Sequence, residues 1–205
     1  MSEEPDADRA WVRIATGLSP TALVAFCQDV ERLLRINSMY EFEQWRPAGA
    51  DRFFMQVRNL SNGYDFATQI RAEPRLDGMR IVYATGLKTA TVFRVEPAGP
   101  DDKSAAPGSA VLVVIDDYSG TPEAERQARA SEIDKSLVWW GHDLHRYLRY
   151  WARWSGFAAF RWYLRRIWQP MTPKARRVTF VLIAITVFEL LAGVLAIVAF
   201  ALHGG

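Results

Sequence analysis

The run Val178–Leu202 holds 25 residues and a single charge, Glu189. No other feature limits so strongly what this chain can fold into. As a helix the run measures about 37 Å at about 1.5 Å per residue. The hydrocarbon core of a bilayer is about 30 Å thick, so the run spans it with some tilt. A buried helix of a soluble protein keeps a polar face, and this run has none, so it reads as a transmembrane helix over 178–202. Lys174, Arg176 and Arg177 precede it closely, and His203, Gly204 and Gly205 follow. Positive flanks stay cytoplasmic, which predicts a tail-anchored, single-pass protein with a cytoplasmic N-terminal body, on the inner membrane if the source is bacterial. The opening MSEEPDADRA is acidic and lacks the apolar stretch of a signal peptide.

The net charge of +2 hides a division. Residues 146–205 carry +8 and residues 1–145 carry −6. Between 146 and 177 the bases are Arg146, Arg149, Arg153, Arg161, Arg165, Arg166, Lys174, Arg176 and Arg177, with no acid. Such asymmetry points to a membrane or to nucleic acid, and the spanning run decides for the membrane. Within 154–177, a basic juxtamembrane segment, residues 156–169 read GFAAFRWYLRRIWQ. At helical spacing Phe157, Phe160, Leu164, Ile167 and Trp168 share one face, and Arg161, Arg165 and Arg166 lie away from it. This is the pattern of an interfacial helix, with Arg161, Trp162, Arg165, Arg166 and Trp168 at headgroup depth. The same helix packed on the body is the alternative. Pro170 and Pro173 then interrupt the chain.

The body alternates as strands do. Residues 1–9 read as disordered. Trp11–Thr16 reads as a strand, and Ser19-Pro20 opens a helix running to about Arg35. Alternating stretches follow at Tyr40–Trp45, Arg52–Asn59, Tyr64–Ala72, Met79–Ala84, Lys88–Glu96 and Ala110–Tyr118, with Asn62-Gly63 and Asp77-Gly78 as turns. Residues 97–109, rich in Pro, Gly and Asp, read as a mobile loop. Thr121-Pro122-Glu123 signals a helix start, and Ile133, Leu137, Trp140, Leu144, Leu148 and Trp151 continue an apolar stripe. The order strand, helix, six strands, long helix predicts an α+β domain on an antiparallel sheet.

Ser19-Pro20 at the first helix, Asp29-Val30-Glu31 with Ile36-Asn37 at its end, the train of strands, and Val114-Ile115-Asp116-Asp117-Tyr118 running into the last helix together resemble the START/Bet v 1 (SRPBCC, helix-grip) superfamily, with its polyketide cyclase-like and coenzyme Q-binding members. The resemblance covers residues 10–153. It implies a curved antiparallel sheet gripping a long C-terminal helix around a hydrophobic cavity. Inward candidates for that cavity are Phe42, Phe54, Phe66, Ile81, Tyr83, Phe93, Leu112, Val114, Leu137, Trp140 and Leu144. A filled core remains the competing expectation. The function this implies is membrane-tethered binding or transfer of a lipid, isoprenoid or quinone. The alternatives are a non-catalytic accessory subunit of a membrane complex, and a cyclase- or dehydratase-like enzyme.

The residues offer little catalytic chemistry. One cysteine, Cys27, excludes a disulfide framework and multi-cysteine metal sites. His142 and His145 share a helical face but lack further ligands, so no metal is expected. Phosphate loops, dinucleotide fingerprints and nucleophile elbows are missing from the sequence, so no cofactor and no catalytic residue is assigned. One of Asp116 and Asp117 facing inward would supply an acid or base, and Tyr64, Tyr83 and Tyr118 are candidate donors to a ligand carbonyl. Glu189 sits mid-membrane, where an ionised acid costs about 2.5–3.5 kcal/mol. With Gly193 and Ala196 it marks an expected helix–helix interface, to a membrane partner or a second copy.

Overall fold

Seven antiparallel strands form one sheet in the order β1-β7-β6-β5-β4-β3-β2. The computed structural model describes residues 8–99, 102, 106 and 108–203. The disorder expected of 1–9 falls almost entirely outside them, as do residues 100, 101, 103–105 and 107 of the loop expected at 97–109. The strands are β1 (Arg9–Ala15), β2 (Tyr40–Pro47), β3 (Arg52–Asn59), β4 (Asp65–Arg75), β5 (Gly78–Tyr83), β6 (Ala90–Pro97) and β7 (Ala110–Asp117). Consecutive strands from β2 to β7 are neighbours, as short connections favour. β1 returns to pair with β7, from Arg9 opposite Asp117 to Ala15 opposite Val111. An irregularity between Phe42 and Gln44 shifts the β2–β3 register. Such a bulge bends and twists its strand, here at the sheet's edge.

The β4–β5 hairpin turns on Leu76 and Asp77, with Arg75 opposite Gly78. Gly78 has φ +145°, and a Cβ there would stand 2.0 Å from the Phe93 carbonyl oxygen of β6. Only glycine lets the two strands approach so closely.

Between β1 and β2 lie α1 (Pro20–Cys27) and α2 (Val30–Ile36). Ser19 Oγ accepts from Ala22 N and caps α1. Asp29 ends the first helix and begins the second, accepting from Arg32 N at 3.0 Å. Of the one or two helices that the stretch 19–38 could hold, the structure has two, because a capping aspartate captures backbone N–H groups that helix continuation would need.

After β7 come α3 (Glu123–Ala128), a 3₁₀ turn (Ala130–Glu132) and α4 (Leu137–Trp154). The apolar stripe read as one helix from Thr121 thus begins its long helix at Leu137. Asp134 interrupts it by turning inward, as described below. α4 packs on β1 and α2, burying Leu137, Trp140, Leu144, Tyr147 and Leu148. Trp140 is fully buried, and its indole N–H donates to Leu33 O at 3.0 Å. Its ring meets Phe93 edge-on with centroids 5.3 Å apart. Leu23, Leu33, Leu34, Met55, Ile70, Ile81, Leu112, Val114 and Leu144 complete a close-packed interior.

α5 (Ala158–Tyr163) and a π-helical turn (Leu164–Trp168) follow. Leu164 is buried, Phe160, Tyr163 and Trp168 pack on the core cluster, and the Trp168 ring meets Tyr147 at a tilt with centroids 5.3 Å apart. The compact unit runs through Gln169. The second unit is α6 (Pro173–His203). Its stretch Pro173–Ala199, with a mean hydropathy of 2.7 over an 18-residue window that holds no buried residue, is long and apolar enough to cross a membrane.

Candidate functional site

The starts of β2, β4 and β6 and the ends of β3, β5 and β7 lie at one end of the sheet, because every neighbouring pair is antiparallel. A cavity of about 130 Å³ opens there. Five aromatic side chains line it, Tyr40, Tyr64, Phe66, Tyr83 and Tyr118, with Leu87. The rings of Tyr40 and Phe66 meet edge-on at 5.8 Å. Asn59, Asn62, Asp65, Thr85, Lys88, Arg129, Glu132 and Asp134 supply the polar lining.

Lys88 is the centre of this end of the molecule. It is buried, and its Nζ stands 2.7 Å from Asp116 Oδ2 and 2.7 Å from Asp134 Oδ2. Asp116 is inaccessible to solvent and its Oδ1 accepts from Thr91 Oγ1 at 2.6 Å. Thr91 in turn lies 3.1 Å from the Tyr83 hydroxyl. Since the Thr91 proton points to Asp116, Tyr83 donates to Thr91. Asp134 gathers more donors. Its Oδ2 accepts from the Tyr40 hydroxyl at 2.5 Å, and its Oδ1 from Asn59 Nδ2 at 3.0 Å and Ser136 N at 2.8 Å. One carboxylate thus ties β2, β3, Lys88 and the first turn of α4 together.

Two carboxylates share one ammonium in a low-dielectric setting, and their proton affinities part. Burial raises the pKa of Asp116, as does the charge of Asp134, against the pull of Lys88 and Thr91. Burial works the same way on Asp134, but the charge of Lys88 and the donors Lys88, Tyr40 and Ser136 outweigh it and hold Asp134 well below the usual range. Burial would lower Lys88, and the two carboxylates outweigh that and keep it firmly protonated. The Tyr83 phenol is pushed up to about 12 by burial, and Tyr118 rises for the same reason. The Tyr83 and Tyr118 phenols and the Lys88 ammonium therefore remain donors across the physiological range.

The residues expected from the sequence are distributed as follows. Phe66 and Tyr83 line the cavity. Phe93, Leu112, Val114, Trp140 and Leu144 are fully buried in the packed interior, and Leu137 and Ile81 belong to it. Phe42 lies at its margin beside Trp45, ring centroids 6.0 Å apart. Phe54 is on the opposite face of β3 from Met55 and Val57, under the Arg46 guanidinium at 4.5 Å, as the two-residue period of a strand requires. Of the two aspartates, Asp116 faces inward, and Asp117 accepts from Ser119 N at 2.9 Å on the other face. Arg161, Trp162, Arg165 and Arg166 are exposed, whereas Trp168 is half-buried against the body. Glu189 and Gly193 are exposed on α6, and Gly193 has open space where a Cβ would stand. Ala196 shares that exposure. His145 Nδ1 lies 3.2 Å from Ala15 O, and no cluster of three metal-ligating side chains occurs among the described residues.

Lys88, Asp134 and Tyr40 were not among the expected site residues. Their signal in the sequence is faint. Lys88 heads an alternating stretch two residues before β6, and Asp134 interrupts an apolar helical stripe.

A curved antiparallel sheet holding a long C-terminal helix is the helix-grip fold. No protein-family model matches the chain, and no curated protein does. Solved structures align with the body. One is a START superfamily protein from Mycobacterium smegmatis, 16% identical, covering 68% of this chain and 94% of its own, with a TM-score of 0.45. A protein of Deinococcus radiodurans is 16% identical over 71% of this chain and 95% of its own, at 0.43. A polyketide cyclase-like protein from Corynebacterium glutamicum is 14% identical over 71% and 96%, at 0.35.

Proposed function

We propose that the protein binds a hydrophobic small molecule of the lipid, isoprenoid or quinone kind while tethered to a membrane. The observation that carries this reading is the cavity lined by five aromatic side chains, with the Lys88–Asp134 pair among its polar groups. Apolar walls with a few convergent polar groups are the common build of a small-molecule site. The long apolar α6 supplies a tether. The exposed Arg161, Trp162, Arg165 and Arg166 supply basic and aromatic contacts of the kind that settle at anionic headgroups. Moving an apolar group from lipid to such a cavity changes its surroundings little, so entry needs no large driving force.

The test uses the full chain, purified in detergent and extracted with organic solvent, beside a Thr85→Trp variant. Thr85 is an exposed residue of the cavity wall, and an indole there fills the opening. Mass spectrometry should find one hydrophobic species near stoichiometry in the wild type and little of it in the variant. Identical extracts from both would remove the reading.

A second reading, an accessory subunit of a membrane complex, is favoured by one observation. Glu189 stands exposed on a helix with no buried residue in its apolar window. An intramembrane carboxylate ordinarily faces a partner helix. The expected interface is Glu189, Gly193 and Ala196. Glu189→Leu should then lower the mass of the detergent-solubilised assembly, by loss of a second copy or of a co-purifying protein. An unchanged mass and composition would dismiss the interface.

A further inference from the structure

α4 has a second face, turned away from the sheet. Trp139, Tyr150 and Trp154 are exposed on it, interleaved with exposed Arg146, Arg149 and Arg153. At 3.6 residues per turn these six fall within an arc of about 140°, and the buried Leu144 and Leu148 lie outside it. The pattern continues past the helix end. The Trp154 and Phe157 ring centroids stand 5.7 Å apart, and the Arg161 guanidinium donates back to Ser155 O and Gly156 O. Seven aromatic side chains of the compact unit are exposed among the described residues, and five of them are Trp139, Tyr150, Trp154, Phe157 and Trp162. Exposed apolar groups gathered on one stretch mark an interaction surface.

The arginines change character at the same place. Of the thirteen before residue 146, all but Arg46 and Arg52 stand at ion-pair distance from a carboxylate. Arg146, Arg149, Arg153, Arg161, Arg165 and Arg166 are exposed, and none of the six is in an ion pair among the described residues. The one acid of α4, Asp143, is already engaged, its Oδ2 accepting from Ser38 N at 2.9 Å. The body thus balances most of its arginines internally and leaves these six for a partner that brings negative charge.

Chemistry and chain connectivity choose that partner. Trp and Tyr settle at the bilayer interface, and Arg is drawn to anionic headgroups there. A second copy docking by the same face would oppose like charges. Only Pro170, Met171 and Thr172 separate this unit from α6, so a bilayer that holds α6 keeps headgroups within a few residues' reach of these arginines. Resting on the membrane tether read above, and independent of the cavity's ligand, we propose that the outer face of α4 docks on an anionic lipid surface. Trp139, Tyr150 and Trp154 sit at headgroup depth, and Arg146, Arg149 and Arg153 meet lipid phosphates. The helix that the sheet grips then lies along the bilayer for its 18 residues, about 27 Å, with the sheet on the side away from the lipid.

The test places the full chain in lipid nanodiscs of phosphatidylcholine, alone or mixed with phosphatidylglycerol, each with some lipid carrying a nitroxide on its headgroup. Cys27 is buried and its thiol is pushed up to about 12, so an introduced cysteine takes the fluorophore. His142→Cys reports from the α4 face, and Gln69→Cys from the exposed face of β4. The His142 label should be quenched strongly in anionic discs and weakly in neutral ones, and the Gln69 label weakly in both. Replacing Arg146, Arg149 and Arg153 together by Gln, which keeps helix propensity, should leave the unfolding temperature unchanged. It should lower the ratio of docked to undocked protein by about a hundredfold, the combined worth of three charges at such a surface. A His142 label no more quenched than the Gln69 label in anionic discs, with the protein still in the discs, overturns the docking and leaves the tether standing. Quenching equal in both kinds of disc and untouched by the triple substitution overturns the part given to the arginines. A single-stranded oligonucleotide that binds the chain and releases the label from anionic discs overturns the lipid in favour of nucleic acid. A chain that does not stay with the discs overturns the tether and the inference with it.

Discussion

Asp134→Ala is expected to lower the stability of the body by about 3–5 kcal/mol, the usual result of removing one member of a buried charge network. The substitution leaves Lys88 with one carboxylate and strips the acceptor from Tyr40, Asn59 and the Ser136 N–H. For a domain of this size the unfolding temperature should fall by about 10 °C or more. Asp116→Asn should behave differently. It removes the surplus carboxylate, keeps a group able to accept from Thr91, and leaves Lys88 paired with Asp134, so its cost should stay below about 1 kcal/mol at neutral pH.

The two aspartates also differ in how they couple stability to pH. Asp134 is held below its unfolded value, so its contribution is present above that value and is lost only as the pH falls through the depressed folded one. Asp116 is raised. Its contribution is complete below the unfolded value and is lost as the pH rises through the folded one. The wild type should therefore lose stability as the pH climbs out of the acid range, and Asp116→Asn should flatten that fall. Thermal unfolding of the full chain in detergent, from about pH 4 to about pH 8, reads both effects. An Asp134→Ala midpoint within about 1 °C of wild type would show that the tie does not hold α4 to the sheet.

Gly78→Ala should be nearly as damaging, at about 4 kcal/mol or more, by backbone strain and collision together. The new methyl would meet the Phe93 carbonyl 2.0 Å away, in a backbone conformation that side chains rarely adopt. That carbonyl belongs to the β5–β6 pairing, in which Gly78 is opposite Arg94 and Met79 opposite Phe93. Relief would require the strands to part under Phe93, one of the largest fully buried side chains. Gly63→Ala is the control. Gly63 also has positive φ, +79°, but nothing stands within 4 Å of its missing Cβ. Its cost should be about 1–2 kcal/mol, the conformational part alone. Equal unfolding temperatures for the two variants would show that the collision with Phe93 is relieved at no cost.

The strands were legible because half-buried strands alternate, as β3 and β4 do, and because β7 is a short apolar run bounded by turn residues. The turns at Asn62-Gly63 and Asp77-Gly78 were legible because their chemistry is local. The start of α4 was not. Ile133, Leu137 and Trp140 keep helical spacing across the break, and nothing local shows that Asp134 leaves the helix to meet Lys88, 46 positions earlier. Tyr118 and the inward member of the Asp116-Asp117 pair were open to inspection because strand parity places them. Lys88 was not, since its burial depends on two acids from distant elements. The interior shows the same limit. Phe93, Leu112, Val114, Trp140 and Leu144 read equally well as cavity wall and as packing, and only three dimensions show that they fill the space between sheet and helix.

The sheet is open, with β1 and β2 at its margins. Unpaired strand edges invite other chains to add themselves. On β2 the register irregularity lies between Phe42 and Gln44, Glu41 and Glu43 put charge along the strand, and Pro47 ends it without an N–H to offer. On β1, Arg9 pairs with Asp117, and Arg13 pairs with Glu96 and Asp102. Confinement to a membrane would bring copies of this chain far closer together than the same number dissolved in a cell's volume. Edge-to-edge growth would be the failure most encouraged by such two-dimensional crowding, and the margins of this sheet are built so that crowded neighbours can collide and separate.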